Sequence, residues 1–235
     1  LFNDISGAGT LNLTGGVQLS HDATNRILVM QGAGTTNISA PIVNSSSTAT
    51  GSSLYYRGTG TLNFTAANTF GGELRMDRGT AVVSGAGTFN ALTSYGIFVR
   101  NKAEFILDNT AGNVGGGRIA GRAVSLENNG LFRLIGNDAA GTTETAGALS
   151  IREGAGRILM SGAGSNVLTF ASIAYPNAAS VLDLSGIGGL GTTNQVRFTN
   201  APVHANYREG VEARIGLPSD DFATYSGAVN LLSGA

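Results

Sequence analysis

The chain contains no cysteine and no tryptophan, and only 12% of its 235 residues are charged, about half the ~25% of an ordinary soluble protein. Without cysteine there is no disulfide and no thiolate metal site. Fourteen Lys and Arg against fifteen Asp and Glu leave a formal net charge of −1. That balance provides no steering field for nucleic acid or for an anionic membrane, so no nucleic-acid partner is expected. No apolar run approaches the ~20 residues of a membrane helix, and no membrane insertion by this segment is expected. Low charge with abundant Ser, Thr, Asn and Gly also occurs in disordered chains. Here, however, the 42% hydrophobic content supplies enough apolar surface to offset the ordering entropy.

What the chain has in excess is glycine, 36 residues, and its placement is periodic. A glycine-centred turn reads Ser-Gly-Ala-Gly-Thr at Ser6 to Thr10, Gln-Gly-Ala-Gly-Thr at Gln31 to Thr35, Arg-Gly-Thr-Gly-Thr at Arg57 to Thr61 and Ser-Gly-Ala-Gly-Thr at Ser84 to Thr88. Looser forms follow around Gly112, Gly141, Gly164 and Gly191, and Gly216 lies one step further. From Gly9 through Gly34, Gly60, Gly87, Gly112, Gly141 and Gly164 to Gly191 the steps are 25, 26, 27, 25, 29, 23 and 27 residues. A period of this size signals a solenoid, in which each unit buries its apolar face only against its neighbours.

The unit is clearest between Gly58 and Gly87. Thr61 to Thr65 and Glu73 to Asp77 alternate polar and apolar residues, the period-2 signature of a half-buried strand. Ala66 to Gly72 reads as a corner, and Thr80 to Val83 as a third strand. Three strands per ~26 residues predict an all-β, three-faced parallel β-helix of roughly nine coils, forming a rod of roughly 40–45 Å at ~4.8 Å per rung. The expected inward ladder runs through Leu28 and Met30, Leu54 and Tyr56, Ala81 and Val83, Phe105 and Leu107, Phe132 and Leu134, Ile158 and Met160, then Leu182 and Leu184, with Ile27 and Val29 an equal alternative at its start. Arg133 and Asp183 then point to solvent. Residues 1–235 read as one solenoid, a piece of something longer with uncapped, open coil ends. The irregular stretch 201–221 reads as a protruding loop.

The run from Gly58 to Gly72, continuing from Gly79 to Val83, resembles the autotransporter-associated β-strand repeat. That family reads roughly GxGTLTLTGxNTYTGGTTxxxGTLxV. The match is close from Gly58 to Asn68, loses one residue before Gly71-Gly72 and resumes at Gly79; partial copies begin at Gly7 and Gly32, and Thr224 to Gly227 is a further fragment. The resemblance implies a right-handed β-helix at a bacterial cell surface or secreted from it, as in autotransporter passengers. The absence of cysteine fits export through an oxidising periplasm. The family brings no catalytic residues.

Parallel β-helices also carry polysaccharide lyases and hydrolases, which need two or three acids converging on one face. The candidates are Asp77, Asp108, Asp138, Glu153, Asp183 and the Asp220-Asp221 pair. Asp108 and Asp183 fall near equivalent rungs three coils apart, roughly 14 Å, too far for a paired mechanism. His21 and His204 lie in no metal-ligand or triad spacing, and no metal or cofactor is expected. Gly188 to Thr193 has the glycines of a calcium β-roll without the acid. Gly115-Gly116-Gly117-Arg118 lacks the setting of a phosphate loop.

Asn12, Asn37, Asn44 and Asn63 begin glycosylation sequons, three of them at one place in the repeat, where the alternation generates them. The tyrosines at 55, 56, 95, 175, 207 and 225 read as core and corner packing rather than a sugar strip. Partner contact is expected at Tyr207, Arg208, Glu209, Glu212 and Arg214. The expected function is a non-enzymatic extracellular rod, structural or adhesive, that engages a host surface or polysaccharide. Self-association through coil ends or flat faces into a fibre or sheath, and a carbohydrate-active enzyme, are the rivals.

Overall fold

The computed structural model describes residues 9–44, 51–90 and 95–200 in full, and the backbone of the strands at 211–216, 222–226 and 230–232. The first coil is β1 (Thr10–Leu13), β2 (Val17–Gln18) and β3 (Ile27–Met30), and the second is β4 (Thr35–Ile38), β5 (Ile42–Val43) and β6 (Ser53–Tyr56). The third comprises β7 (Thr61–Phe64), β8 (Ala67–Asn68) and β9 (Leu74–Met76), the fourth β10 (Thr80–Val83), β11 (Thr88–Phe89) and β12 (Ile97–Arg100). The fifth has two strands, β13 (Glu104–Asp108) and β14 (Val124–Glu127). The sixth is β15 (Gly130–Ile135), β16 (Thr142–Ala146) and β17 (Leu149–Glu153), the seventh β18 (Ala155–Ser161), β19 (Asn166–Phe170) and β20 (Ile173–Ala174). An incomplete turn follows with β21 (Val181–Asp183) and β22 (Asn194–Phe198), then β23 (Val211–Gly216), β24 (Phe222–Ser226) and β25 (Asn230–Leu232).

The first strands of successive coils pair in parallel from β1 to β21, and the last from β3 to β20. The middle strands form shorter runs, β2 with β5, β8 with β11, and β16, β19 and β22. The result is a three-faced parallel β-solenoid with one continuous core, as the period predicts. It has about seven complete coils rather than nine. The ninth glycine of the series, Gly216, falls in β23, where coiling stops. There β23 pairs in parallel with β21, β24 and β25 follow antiparallel, and β25 joins β22. These strands link the first and second faces across one end of the stack, covering edges that the sequence reading left open.

The coil itself is less regular than the glycine turns. Register pairs on the first face tie Thr10 to Thr35, Thr35 to Thr61, Thr61 to Thr80 and Thr80 to Glu104, so the third coil advances by only 19 residues. The glycine motif does not follow that shortening and changes corner. Gly9, Gly34 and Gly60 precede first-face strands, whereas Gly87 precedes β11 and Gly141 precedes β16, both on the second face. Two expectations need correcting for this reason. Thr80 to Val83 belongs to the next coil, and the missing middle strand is β8, inside the stretch read as a corner. The inward ladder likewise crosses between faces. Leu28, Met30, Leu54 and Tyr56 lie on the third face and continue through Leu74 and Met76, Ile97 and Val99, and Val124 and Leu126. Ala81 and Val83 continue Leu62 and Phe64 on the first face and lead to Phe105, Phe132 and Ile158, whereas Leu182 pairs with Gly156, two residues off that column. At β3 it is Met30 that is buried, with Leu28 packed against the core, while Ile27 is 56% exposed.

Gly60 shows why the corner demands glycine. A Cβ there would lie 2.0 Å from the Gly34 carbonyl oxygen and 2.6 Å from the Ala33 backbone, because corners of adjacent coils stack backbone on backbone. Inside, the phenylalanines make an unbroken spine. Ring centroids run Phe64 to Phe89 at 5.2 Å, Phe89 to Phe105 at 6.3 Å, Phe105 to Phe132 at 5.8 Å, Phe132 to Phe170 at 6.1 Å and Phe170 to Phe198 at 5.9 Å. Each ring is fully buried or nearly so, and aromatic pairs at these separations add to simple area burial.

Phe132 sits mid-spine between two rings, so Phe132→Ala leaves a cavity that the coils above and below cannot collapse to fill. It is expected to cost about 3–5 kcal/mol in denaturant unfolding, whereas Thr143→Ala on the exposed side of β16 is expected to stay within about 0.5 kcal/mol of the parent.

Candidate functional site: charged strip and buried arginines

In-register stacking sets one outward residue above the next at about 4.8 Å, so charges in a column must alternate in sign or repel. On the third face they alternate over five successive coils. Arg57 Nε lies 3.4 Å from Asp77, Arg100 Nη1 3.5 Å from Asp77, Arg100 Nε 2.5 Å from Glu127 and Arg152 Nε 3.3 Å from Glu127. Arg75 joins at 3.2 Å from Asp77. Unbroken register beyond Leu126 and Ile151 would set Arg152 opposite Glu127, but a bulge between Leu126 and Glu127 in the pairing of β14 with β17 makes Glu153 the backbone partner of Glu127 instead. Arg152 is the extra residue left at the bulge, and its side chain still reaches Glu127. Burial raises the Glu127 carboxyl, against the pull of Arg152 and Arg75.

A second outward column runs beside the first, with Tyr55, Arg75 and Phe98 in register on β6, β9 and β12. Arg75 lies over the Tyr55 ring at 5.3 Å and Arg152 over Phe98 at 5.8 Å. The Tyr55 hydroxyl donates to Glu73 Oε2 at 2.9 Å; burial first, then Glu73, raises the phenol above its usual value. Glu73, Arg75, Phe98, Arg100, Glu127 and Arg152 line a depression of about 270 Å³.

The fifth coil lacks a middle strand, and two arginines replace it. Arg118 and Arg122 have no exposed surface. The Arg118 guanidinium donates to Asn109 Oδ1 at 2.9 Å and to the carbonyls of Gly85, Gly87 and Gly112 at 2.9–3.0 Å. Its backbone N–H and that of Ile119 donate to the Glu144 carboxylate at 2.8 and 3.2 Å. Arg122 donates to the carbonyls of Asn90 and Gly72 at 3.0 Å, to that of Phe70, and to Asn90 Oδ1, and it lies over the Phe70 and Phe89 rings. Loss of solvent pulls the Arg122 guanidinium down to about 10 and raises the Glu144 carboxyl. Two carbonyl-lined corners that no neighbouring strand satisfies are thus filled by forked cations.

The acids considered for catalysis are dispersed, and each described one has a partner. Asp77 sits in the charge column. Asp108 accepts from the Thr110 N–H and hydroxyl at 2.9 and 2.7 Å, and Asp138 from the Ala163 N–H at 2.6 Å. Glu153 accepts from Asn128 at 3.4 Å. Asp183 faces Arg157 at 3.3 Å. Its register column leads through Arg157 and Leu131 to Glu104, not to Asp108, which pairs with Ile135. The two are therefore not equivalent positions: strand β13 begins at Glu104, and Asp108 lies four residues further on.

His21 is a surface imidazole, its side chain 82% exposed beside Asp22 at 3.5 Å. Tyr56 is buried, whereas Tyr55 faces outward. Asn12, Asn37 and Asn63 stack as a ladder, Asn63 donating to Asn37 and Asn37 to Asn12 at 2.8 Å. Tyr207, Arg208, Glu209, His204 and Asp220-Asp221 lie outside the described residues, and Glu212 and Arg214 belong to β23, whose backbone alone is described. Sequence reasoning missed the charge column, Arg118, Arg122 and Glu144. The column had a visible signal, alternating sign at spacings near one coil; the buried arginines had none. No protein-family model, no curated protein and no solved structure matches this chain.

Arg122→Met should destabilise the rod by about 3–5 kcal/mol in denaturant unfolding. Methionine relieves the cost of a buried charge but orphans three carbonyls, and broken buried polar clusters cost that much. The pH response has a readable sign. The Thr24 backbone N–H, at 2.8 Å, is the main cause holding Asp22 down to about 2. A depressed carboxylate contributes stability above its unfolded value near 3.8 and loses it as pH falls through the folded value. The difference in melting temperature between the parent and Asp22→Asn should therefore be largest above pH 4 and vanish near pH 2. Glu127 and Glu144, whose values are raised, act in the opposite sense: their contribution to stability falls as pH rises through the folded value.

Proposed function

We propose that this chain is a non-enzymatic rod from a bacterial cell-surface or secreted protein, of the autotransporter-passenger kind, with a structural or adhesive role. The observation that carries the reading is the engagement of every described candidate acid by an arginine, an amide or a backbone N–H. General acid–base work on a glycosidic bond needs two carboxyls free to face the substrate, and here the carboxylates act as ties between coils. The resemblance of residues 58–83 to the autotransporter-associated repeat supports the extracellular setting. A single core with outward columns along its length suits a display surface.

The fibre reading depends on open coil ends. Strands β23 to β25 cover the edges of β21 and β22, which favours discrete rods over growth from that end.

Electron microscopy of the purified chain over a concentration series is expected to show single short rods, with constant mass by light scattering. Filaments that lengthen with concentration would make it a self-assembling fibre subunit instead. Incubation with uronic-acid and neutral polysaccharides is expected to release neither reducing ends nor unsaturated sugars; release of either would overturn the non-enzymatic reading.

A further inference from the structure

The depression on the third face brings together three kinds of chemistry that the stacking does not require. Phe98 is an outward residue, set between Ile97 and Val99, which supply the core contacts of β12. Its ring therefore adds an apolar floor to a polar surface. Arg75, Arg100 and Arg152 outnumber Glu73 and Glu127 around that floor, in a chain of net charge −1. Arg152 Nε lies 3.3 Å from Glu127, and the Arg152 side chain is 51% exposed. Its two Nη groups make no hydrogen bond among the described residues. Glu73 accepts the Tyr55 hydroxyl through Oε2, and its Oε1 makes no hydrogen bond among the described residues.

We propose that this strip binds an acidic saccharide, with a uronate carboxylate on the forked Nη donors of Arg152, the C–H face of the ring on Phe98, and a sugar hydroxyl on Glu73. The proposal rests on the reading of the rod as a display surface and names the ligand class of its third face. A guanidinium fork matches a planar carboxylate in two parallel hydrogen bonds. An aromatic face takes the apolar side of a pyranose, which a simple polyanion lacks. The mixed-charge groove on the first face offers no such floor of aromatic character: Lys102, Glu104, Asn129, Leu131, Arg157 and Asp183 line it, and Arg157 is tied to Asp183.

The test is a calorimetric titration of the full chain with oligogalacturonate, alongside maltohexaose and polyglutamate of similar length. Saturable binding of the uronate alone is expected, weakened about tenfold by Arg152→Ala and by Phe98→Ala, and unchanged by Arg157→Ala on the other face. Arg152→Lys retains the pairing with Glu127 but not the fork, and it should weaken binding with the melting temperature preserved. Absence of saturable binding overturns the proposal. So does polyglutamate binding equally well, since the strip would then be a plain cationic patch. Maltohexaose binding equally well removes the arginines from the account and is equally decisive against it. Failure here leaves the rod reading to stand on the microscopy. Cleavage of bound oligogalacturonate would overturn the non-enzymatic reading while supporting the site.

Discussion

Parallel strands stacked in register place each side chain about 4.8 Å from its counterpart in the next coil, so every column has to be compatible with itself. Apolar columns satisfy this by burial, and the phenylalanine spine from Phe64 to Phe198 is the extreme case. Amides satisfy it by donating each to the one in the preceding coil, as Asn63 does to Asn37 and Asn37 to Asn12. Charges satisfy it only by changing sign at each step, and the column from Arg57 to Arg152 does so over five coils. Where a bulge sets Glu153 opposite Glu127, Arg152 within it still reaches Glu127 and keeps the alternation. Self-compatibility thus decides which residues can occupy a column, and the low overall charge of the chain follows from it.

The same constraint explains the buried arginines. A coil that lacks a strand leaves its neighbours' carbonyls without donors, and unsatisfied buried carbonyls are expensive. In the fifth coil, Arg118 and Arg122 each supply several donors from one side chain, while Glu144 receives the N–H groups of Arg118 and Ile119. Their charge is a cost of the repair rather than its purpose, as the lowered proton affinity of Arg122 indicates. All three groups sit in the core.

The outward columns have a different standing. The sign alternation of the third face ties coils together, yet it leaves guanidinium donors and an aromatic ring over after that task is done. Surplus of this kind is what distinguishes a display surface from a seam. It arises on the face whose strands pair in one parallel series from β3 to β20, where columns extend far enough to present a repeating pattern to an extended polymer.

Much of this was legible in the residues alone. The glycine period, the alternation within Thr61 to Thr65 and the apolar pairs fixed an all-β parallel solenoid, because burial of alternate residues and stacking of small corners are local and repetitive demands. The sequence also determined that Arg133 and Asp183 face outward. It did not determine which strand belongs to which face. The third coil is 19 residues long from Thr61 to Thr80, and the glycine turn, which marks a corner but not which of three corners, shifts from one to another without changing its spacing. Nor did it reveal the closing strands β23 to β25, whose antiparallel pairing depends on distant partners. Which charges meet in the column, and how Arg118 and Arg122 fill their corners, was decided by tertiary structure: partners lie as far as 52 positions apart, and only the coil-by-coil register states which of them meet.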